Sequence, residues 1–302
     1  MNNLTVKIIK DSMLSNERYI TVETYYPRII HSEVLRHRAI SHSVASSRAI
    51  PTKKYIETYT NFVPNNLRKN EKGMSPKNKI EDENINQTIY DNYFIILKNC
   101  TETAQKWSDF GLAKEQVNRI LEPFSYIRDL MTFSYADIQS VLELRCHDDA
   151  QEEIRDLFLA IKQELEKSKP EIRAVHFPYI DDLAFVDQNI QDLIKISVAR
   201  CARTSYDSNA TGKHSSIEED IVLYNRLIDG KHLSPSEHVL FSRKFFERQI
   251  MNHIGSIQVF EIKDDSPALF KINQTEKRRY QYPFSGNMGG DIVQYRKILE
   301  RT

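Results

Sequence analysis

Two short runs near the start of the chain alternate apolar and polar side chains. They span residues 5–10 and 19–25 and flank a polar turn at residues 15–18. A period of two places successive side chains on opposite faces of a strand. The pattern therefore predicts that the chain opens with a β-hairpin.

Apolar residues recur at helical spacing further along the chain. In residues 150–167 a stripe of apolar side chains is separated by charged ones, and Pro170 follows the run. The stripe consists of Ile154, Leu157, Phe158, Ile161 and Leu165. We predict an amphipathic helix there and interpret the whole of residues 90–169 as helical.

Further elements follow in the last third of the chain. Residues 217–228 have the pattern of a second amphipathic helix, and Gly230 supplies its C-terminal stop. Residues 239–246 and 257–262 have strand-like composition. The combination predicts an α+β fold, with mixed helices packed on an antiparallel sheet.

Two segments are rich in residues that interrupt regular structure. Residues 61–87 are polar, with proline, glycine and many Asn and Lys, which predicts a long loop. Gly286, Gly289 and Gly290 crowd one short stretch, so we expect this turn to approach a ligand or another backbone closely.

The bulk composition narrows the class of protein. The 302 residues include 42 basic and 42 acidic side chains, so no global field draws the protein to nucleic acid or to an anionic membrane. Three widely spaced cysteines do not form a disulfide framework. The first residues lack the apolar core of a signal peptide, and no apolar run approaches the roughly 20 residues needed to cross a bilayer. We expect a soluble cytoplasmic protein that binds neither nucleic acid nor membrane.

Residues 35–48 concentrate the chemistry of the sequence. They contain three arginines, two histidines and four serines. Arginine matches phosphate oxygens with a planar fork of donors, and serine hydroxyls can fill the remaining acceptor sites. The segment is a candidate anion cradle. A solvated basic helix face is the alternative that composition leaves open.

Four other segments carry suggestive polar residues, at residues 118–123, 142–151, 197–206 and 232–238. Ion pairing of Arg145 with Asp149 one helical turn away, or capping by hydroxyls, would explain them without any function. We find no metal-ligand spacing, no P-loop, no dinucleotide fingerprint and no local signature of a cysteine nucleophile.

These segments resemble the flavin-dependent thymidylate synthase family. Arg36, His37 and Arg38, followed after seven residues by Ser46, match its signature R-H-R-x7-S. Residues 119–123 and 144–154 are similar to the later helices of that family. Residues 202–206 (A-R-T-S-Y) and 232–238 (H-L-S-P-S-E-H) are similar to its opening segments. Four separate matches favour the family over coincidence.

The order of the segments is rearranged. In the common family arrangement the A-R-x-S-Y and H-x-S/T-P-x-E-H segments precede R-H-R, whereas here they follow it by more than 150 residues. The chain therefore resembles a circularly permuted version of the family, similar to its phage-encoded members. If a phage encodes it, the protein would act in the cytoplasm of a bacterial host. We treat residues 1–302 as one α/β catalytic domain. Residues 1–175 contain the R-H-R motif and the helical part, and residues 190–302 contain the other two segments.

The resemblance implies an activity, the FAD-dependent reductive methylation of dUMP to dTMP. Methylenetetrahydrofolate would give a one-carbon unit to C5 of dUMP, and FAD reduced by NADPH would supply the hydride. The resemblance also implies a homo-oligomer, expected to be a homotetramer whose active sites are shared between subunits.

The resemblance further implies a role for each matching residue. The flavin would be contacted by Arg36, His37 and Arg38 and by Ser205, Ser234 and His232. The dUMP phosphate would be held by Ser46, Ser47, Arg48 and Arg119, and the pyrimidine carbonyls by Arg145. The catalytic set would be Arg36, His37, Arg38, Ser46 and Arg145, with no metal.

The chain departs from the family pattern S-x-N-E-x-S-G-R-Y. Val44 stands at the carboxylate position, Ser47 at the glycine and Ala49 at the tyrosine, and Glu33 stands where a glutamine is common. Loss of the carboxylate removes a group that could orient water or substrate. Serine in place of glycine limits how closely the backbone can approach a phosphate.

Two alternatives stay open beside the leading hypothesis. The departures also fit a related C5 one-carbon modification, such as hydroxymethyl transfer or the use of a cytosine nucleotide. A catalytically silent nucleotide-binding or RNA-binding homologue could keep the same cluster. Zero net charge and the lack of interleaved aromatic residues argue against broad nucleic-acid binding.

Overall fold

A computed structural model describes most of the chain. The described residues are 3–72, 76–180, 189–205, 215–246, 286–288 and 291–300. The strand expected at residues 257–262 lies outside them, as do Tyr206, Gly289 and Gly290. No helix within the described ranges is long and apolar enough to cross a membrane.

Within the described residues, eight strands form two sheets. The strands are β1 (Thr5–Leu14), β2 (Glu17–Pro27), β3 (Ser41–Val44), β4 (Tyr126–Ser134), β5 (Glu171–Arg173), β6 (Val175–His176), β7 (Leu240–Ser242) and β8 (Ile292–Gln294). The larger sheet has the order β3-β4-β2-β1-β5, and the smaller has the order β6-β7-β8. All neighbours are antiparallel except β1 and β5.

Helices of very different length surround the sheets. The α-helices are α1 (His31–Val34), α2 (Thr52–Lys54), α3 (Glu83–Asp109), α4 (Lys114–Val117), α5 (Tyr135–Arg145), α6 (Glu152–Lys167), α7 (Ile190–Cys201), α8 (Ile217–Asp229), α9 (Arg243–Phe245) and α10 (Tyr295–Leu299). A π-helical turn follows α2 at Tyr55–Tyr59, and 3-10 segments lie at Arg28–Ile30, Asn118–Phe124 and Ser234–His238. The α+β class is confirmed.

The opening hairpin is confirmed, with longer strands than the alternation indicated. β1 and β2 pair from Thr5 opposite Tyr25 to Leu14 opposite Glu17. The turn is therefore only two residues long, and Ser15 adopts the left-handed backbone (φ 57°) that a tight hairpin turn requires.

The helical interpretation of residues 90–169 is wrong at β4. All nine positions of this strand are buried. Its mixture of apolar and polar residues follows neither the strand period of two nor the helical period of 3.6, so long-range pairing decides. Pairing with β2 on one side and β3 on the other makes β4 a central strand.

The strand-like segment at residues 239–246 is also shorter than expected. Only Leu240–Ser242 pairs in the sheet, and α9 follows at once. The loop at residues 61–87 ends sooner than predicted, because α3 begins at Glu83 after its cap Asp82. The loop is tied to the start of α6 by an ion pair between Arg68 and Glu152.

Both predicted amphipathic helices are confirmed. The five apolar residues of the α6 stripe are buried against the larger sheet and α5. In α8 the buried apolar residues are Leu223 and Tyr224, and Gly230 follows as the C-cap. Gly286 has a left-handed backbone (φ +67°), and a Cβ there would clash with the side chain of Gln294, so the close approach is to a side chain and not to the ligand or backbone that we expected.

The two sheets are joined by a chain of buried polar side chains. His176 contacts Ser12 (3.0 Å) and Thr21 (2.7 Å), and Thr21 contacts Thr132 at 2.6 Å. Thr132 contacts His238 (2.7 Å), whose other ring nitrogen lies 2.9 Å from Oγ of Ser43. Both histidines come from the part of the polypeptide that carries the smaller sheet. This series of hydrogen bonds therefore satisfies buried polar groups of both sheets.

Burial keeps both of these histidines neutral. It lowers the pKa of His176 and of His238 to about 3. In the unfolded chain these histidines bind protons below about pH 6.5, whereas in the folded chain they stay neutral down to about pH 3. The free energy of unfolding therefore falls as the pH drops from about 6.5 toward 3.

We predict a loss of about 2 kcal/mol of stability for each of the two histidines between neutral pH and pH 5. Urea unfolding against pH measures it. His238→Gln lowers stability at neutral pH but flattens the pH dependence, because glutamine does not titrate. The exposed control His147→Gln keeps the wild-type slope. Equal slopes for all three proteins would contradict the assignment.

Candidate functional site

The R-H-R motif lies in a tight turn directly after α1. We call residues 35–40 the R-H-R turn; it is closed by backbone bonds from Arg36 to Glu33, from His37 to Val34 and from Ile40 to His37. Val34 and Ile40 are buried and anchor its two ends. Arg36 and Arg38 point outward, and neither guanidinium has a partner among the described residues.

Arg145 connects this turn to the end of α5. Its Nε donates to Nε2 of His37 at 2.9 Å, and its Nη1 donates to Oε2 of Glu33 at 3.0 Å. The ring of Phe158 on α6 packs edge-on against His37. The structure therefore brings together Arg36, His37, Arg38 and Arg145, with Glu33 as an added member.

His37 is neutral in this arrangement. Burial, the nearby charge of Arg145 and other neighbours lower its pKa to about 4. Because Nε2 accepts from Arg145, the ring proton of the neutral form lies on Nδ1. The sequence expectation of ion pairing between Arg145 and Asp149 is replaced by this longer-range contact.

Residues near the C-terminal end position the other side of the R-H-R turn. Asn287 donates to the carbonyl of Arg38 at 3.1 Å and accepts from Ser41. Gln294, which is buried, donates to Ser41 and to the carbonyl of Glu237. Segment 232–238 is thus held beside β3, and Arg296 pairs with Glu237 from outside.

A second group lies at the far end of β3. Ser46 is exposed, and its Oγ accepts from the backbone of Arg48. Asn118 donates to the carbonyls of Ser47 and Ile50, so its neighbour Arg119 lies beside this serine turn, residues 46–48. Arg119 is exposed, with no side-chain partner in the described part of the chain.

Not every residue of the serine turn is free for a ligand. Ser47 is buried, and its hydroxyl donates to Glu122 at 3.0 Å. Arg28 neutralises that carboxylate at 3.0 Å. Arg48 is exposed, with Glu115 at 3.4 Å. The two groups stand at opposite ends of β3, whose four residues alone span roughly 10 Å.

The remaining residues expected to bind the cofactor, Ser205, Ser234 and His232, come from the C-terminal part of the chain, residues 190–302. Lys54 donates to the carbonyl of Ser205 at 3.4 Å, and Arg128 donates to that of Thr204, so segment 202–205 reaches α2 and β4. Ser234 and His232 are exposed. Arg203 of the same motif pairs with the buried Asp220 at 3.2 Å.

Sequence reasoning missed several residues that build the site. Asp129, Asn287 and Gln294 bind motif residues but belong to no recognised motif. Asn118 lies in the segment 118–123 that the sequence singles out, and it holds the serine turn through the carbonyls of Ser47 and Ile50. No sequence signal marks Asp129, because β4 also contains the polar residues Arg128, Thr132 and Ser134. A cysteine nucleophile gains no support, because burial raises the pKa of Cys201 far above its usual value.

The residues present fit an anionic planar cofactor such as FAD. Two unpartnered, exposed guanidiniums flank a neutral imidazole on one turn, and arginine both pairs with phosphate and stacks on flat rings. The nearby exposed Ser234 and His232 add polar groups.

The fold and these segments define an α+β protein with exposed arginine side chains beside both ends of β3. The family described as thymidylate synthase complementing protein matches residues 14–171, just over half of the chain. The chain belongs to that family. The matched range contains R-H-R, Ser46, Arg119 and Arg145, whereas segments 202–206 and 232–238 lie C-terminal to it.

Solved structures give a weaker likeness. One is a UMP/dUMP methylase, PolB from Streptomyces cacaoi, bound with 5-Br dUMP, at 16% identity and a TM-score of 0.46. The match covers 55% of this chain and 91% of that chain. The same methylase bound with 5-Br UMP matches at 15% identity and a TM-score of 0.45, over 55% of this chain and 90% of that one. No curated protein matches the chain.

Two substitutions should move the pKa of His37 in opposite directions. Arg145→Met removes a positive neighbour and should raise it by about one pH unit, whereas Glu33→Gln removes a negative neighbour and should lower it. Histidine ring signals in NMR titrations measure both. Shifts in the same direction would contradict the contacts described here.

Proposed function

We propose that this protein catalyses the FAD-dependent reductive methylation of dUMP at C5 to give dTMP. Methylenetetrahydrofolate is the one-carbon donor and NADPH the reductant in this proposal. The observation that carries it is the contact of Arg145 with His37 and Glu33, because it joins two motif segments of a thymidylate synthase complementing protein family.

The R-H-R turn would hold the cofactor. Arg36 and Arg38 would balance the negative charge of FAD, His37 would lie against its ring system, and Ser205, Ser234 and His232 would bind its remaining polar groups. FAD supplies hydride transfer when it is bound. The neutral His37 presents an N–H on Nδ1 and adds no charge of its own, so the positive field comes from the arginines.

The nucleotide would bind between the two groups. Ser46, Arg48 and Arg119 are exposed and suit a phosphate, and Ser47 would contribute mainly by shaping the turn, since its hydroxyl is engaged with Glu122. A guanidinium has five N–H donors, of which His37 and Glu33 occupy two in Arg145, so three remain for the pyrimidine carbonyls. Catalysis would thus rest on Arg36, His37, Arg38, Ser46 and Arg145.

A related modification of a cytosine nucleotide is the second candidate. The observation that favours it is Glu33, a carboxylate beside Arg145 where the family commonly has glutamine. An ionised carboxylate only accepts hydrogen bonds, and cytosine offers an N4 amino donor that uracil lacks.

The exposed surface of α3 supports a homo-oligomer. Six large apolar residues of this 27-residue helix are 37–57% exposed: Ile85, Ile89, Phe94, Ile95, Ile96 and Trp107. At roughly 200 Å² for each side chain they leave roughly 600 Å² of apolar area in water along one helix, which is the upper end of what a typical monomer exposes in one patch. Tyr93 of the same helix packs on Phe124, in the segment that carries Arg119.

We therefore propose that α3 packs against a second copy of the chain, in a tetramer whose subunits share active sites near Arg119. Within each subunit, residues 1–302 would act as one catalytic domain, in the cytoplasm of a bacterial host if the gene belongs to a phage.

The activity is tested by supplying FAD, NADPH, dUMP and isotope-labelled methylenetetrahydrofolate, with dCMP in competition. Mass spectrometry should find labelled dTMP. Arg38→Gln should reduce the rate by roughly 100-fold, because it removes charge stabilisation at the cofactor, and the distant control Arg173→Gln should keep it. A labelled cytosine nucleotide would favour the second candidate, and no labelled product would contradict both.

The oligomer is tested by light scattering. Ile89→Glu with Ile96→Glu should give a smaller species than the wild type, because charges on an apolar interface are costly to bury. Gln105→Glu on the same helix should leave the assembly unchanged. A wild-type protein that stays monomeric at every concentration would contradict the shared site.

A further inference from the structure

A buried carboxylate lies at the centre of the larger sheet. Asp129 on β4 is fully buried, and its Oδ2 accepts from Nδ1 of His42 at 2.8 Å and from the hydroxyl of Tyr26 at 3.0 Å. Nδ1 of His31 lies 2.8 Å from the same hydroxyl. Because Tyr26 gives its one proton to Asp129, His31 must donate to Tyr26. All donors therefore point toward the carboxylate.

Two polar atoms of this cluster lack a partner. Nε2 of His42 and Oδ1 of Asp129 are buried and make no hydrogen bond within the described residues. Buried polar atoms are almost always satisfied, so an unsatisfied pair in one place indicates a missing ligand or water. The His42 side chain keeps 11% of its surface exposed, so the ring lies just below the protein surface.

The position of the cluster connects it with the departure at Val44. Val44 lies directly opposite Asp129 in the pairing of β3 with β4, and such opposed side chains share one face of the sheet. His42 is two residues before Val44 and shares that face. Asp129 thus places a carboxylate next to the site where the family pattern has one and this chain has valine.

His42 also lies between the two groups of the proposed site. The R-H-R turn ends at residue 40, and the serine turn begins at residue 46. His42 therefore lies between the residues proposed for the phosphate and those proposed for the base.

We propose that Asp129 and His42 replace the carboxylate absent at Val44, and that Nε2 of His42 donates a hydrogen bond to an oxygen of the bound pyrimidine nucleotide. This inference rests on the proposed function. His42 is then a substrate-binding residue, and Asp129 is the positioning residue that orients its ring.

The surroundings favour the charged form of His42 that donates from both nitrogens. Burial alone lowers the pKa of His42, but the charge and hydrogen bond of Asp129 raise it by more, with Glu237 adding to the rise. Other titratable or charged groups surround this cluster: Tyr26 on β2, His31 on α1, His37 on the R-H-R turn, His238 in the 3-10 segment Ser234–His238, and Arg28 and Glu122 near His31. Binding through Nε2–H therefore weakens as the pH rises through the pKa of His42.

The test measures dUMP binding by calorimetry across pH. His42→Gln and Asp129→Asn should each weaken binding by about 10- to 100-fold, the effect of losing a charge-assisted hydrogen bond. The difference between wild type and His42→Gln should shrink at high pH. His31→Gln, at the far end of the cluster, should change the affinity less than about threefold, and thermal melts confirm that each variant folds.

A rescue experiment tests the replacement of the missing carboxylate. Adding Val44→Glu to Asp129→Asn should restore about tenfold of the lost affinity, because it returns a carboxylate to the neighbouring position. Comparison with deoxyuridine identifies the acceptor. An effect of His42→Gln that persists without the phosphate assigns a base carbonyl, and one that vanishes assigns the phosphate.

Two failures are distinguishable. Folded His42 and Asp129 variants that bind dUMP as the wild type does, with an unchanged pH profile, would overturn this inference and leave the proposed function intact. A wild-type protein that binds no dUMP at all would overturn the proposed function, and the inference with it.

Discussion

The guanidinium of Arg145 holds the proposed site together. It bonds to His37 and Glu33, which are 108 and 112 residues away in the chain. Without this contact the R-H-R turn would lose its side-chain hydrogen bonds to α5 and would keep the buried Val34 and Ile40, the Phe158 ring against His37 and the Asn287 bond to Arg38. With it, the end of α5 determines where the turn lies and which nitrogen of His37 carries the proton. The other arginines remain free to meet a ligand.

A second set of interactions fixes the R-H-R turn from the opposite side. The buried chain that runs from Ser12 through two histidines to Ser43 attaches segment 232–238 to the larger sheet. Asn287 and Gln294 extend that attachment to Arg38 and Ser41. Segments that are distant and rearranged in the sequence therefore meet at β3. A rearranged order of motifs can preserve a site when such contacts are preserved, because binding depends on spatial arrangement and not on chain order.

The sequence predicted the features that depend on local pattern. The hairpin, α6 and α8 follow from alternation and helical periodicity, and the motif residues around Arg36 follow from their spacing. The strand β4 could not be predicted in this way, because its nine buried residues have neither period and its identity depends on pairing with β2 and β3. The hydrogen-bond partner of Arg145 could not be predicted from the sequence either. Helix periodicity offers Asp149, whereas tertiary packing supplies His37. Asp129 shows the same limit. The sequence shows that Val44 on β3 replaces a carboxylate, but it does not show that Asp129 on β4 lies opposite Val44.

The central claim is that the R-H-R turn, held by Arg145, binds a flavin. Titration of the purified protein with FAD, followed through the visible absorption of the oxidised flavin, tests it most directly. The account predicts saturable binding of one FAD per chain, with strong weakening in the Arg36→Gln, Arg38→Gln double variant and none in Arg173→Gln. A folded wild-type protein that takes up no FAD at any concentration would contradict it.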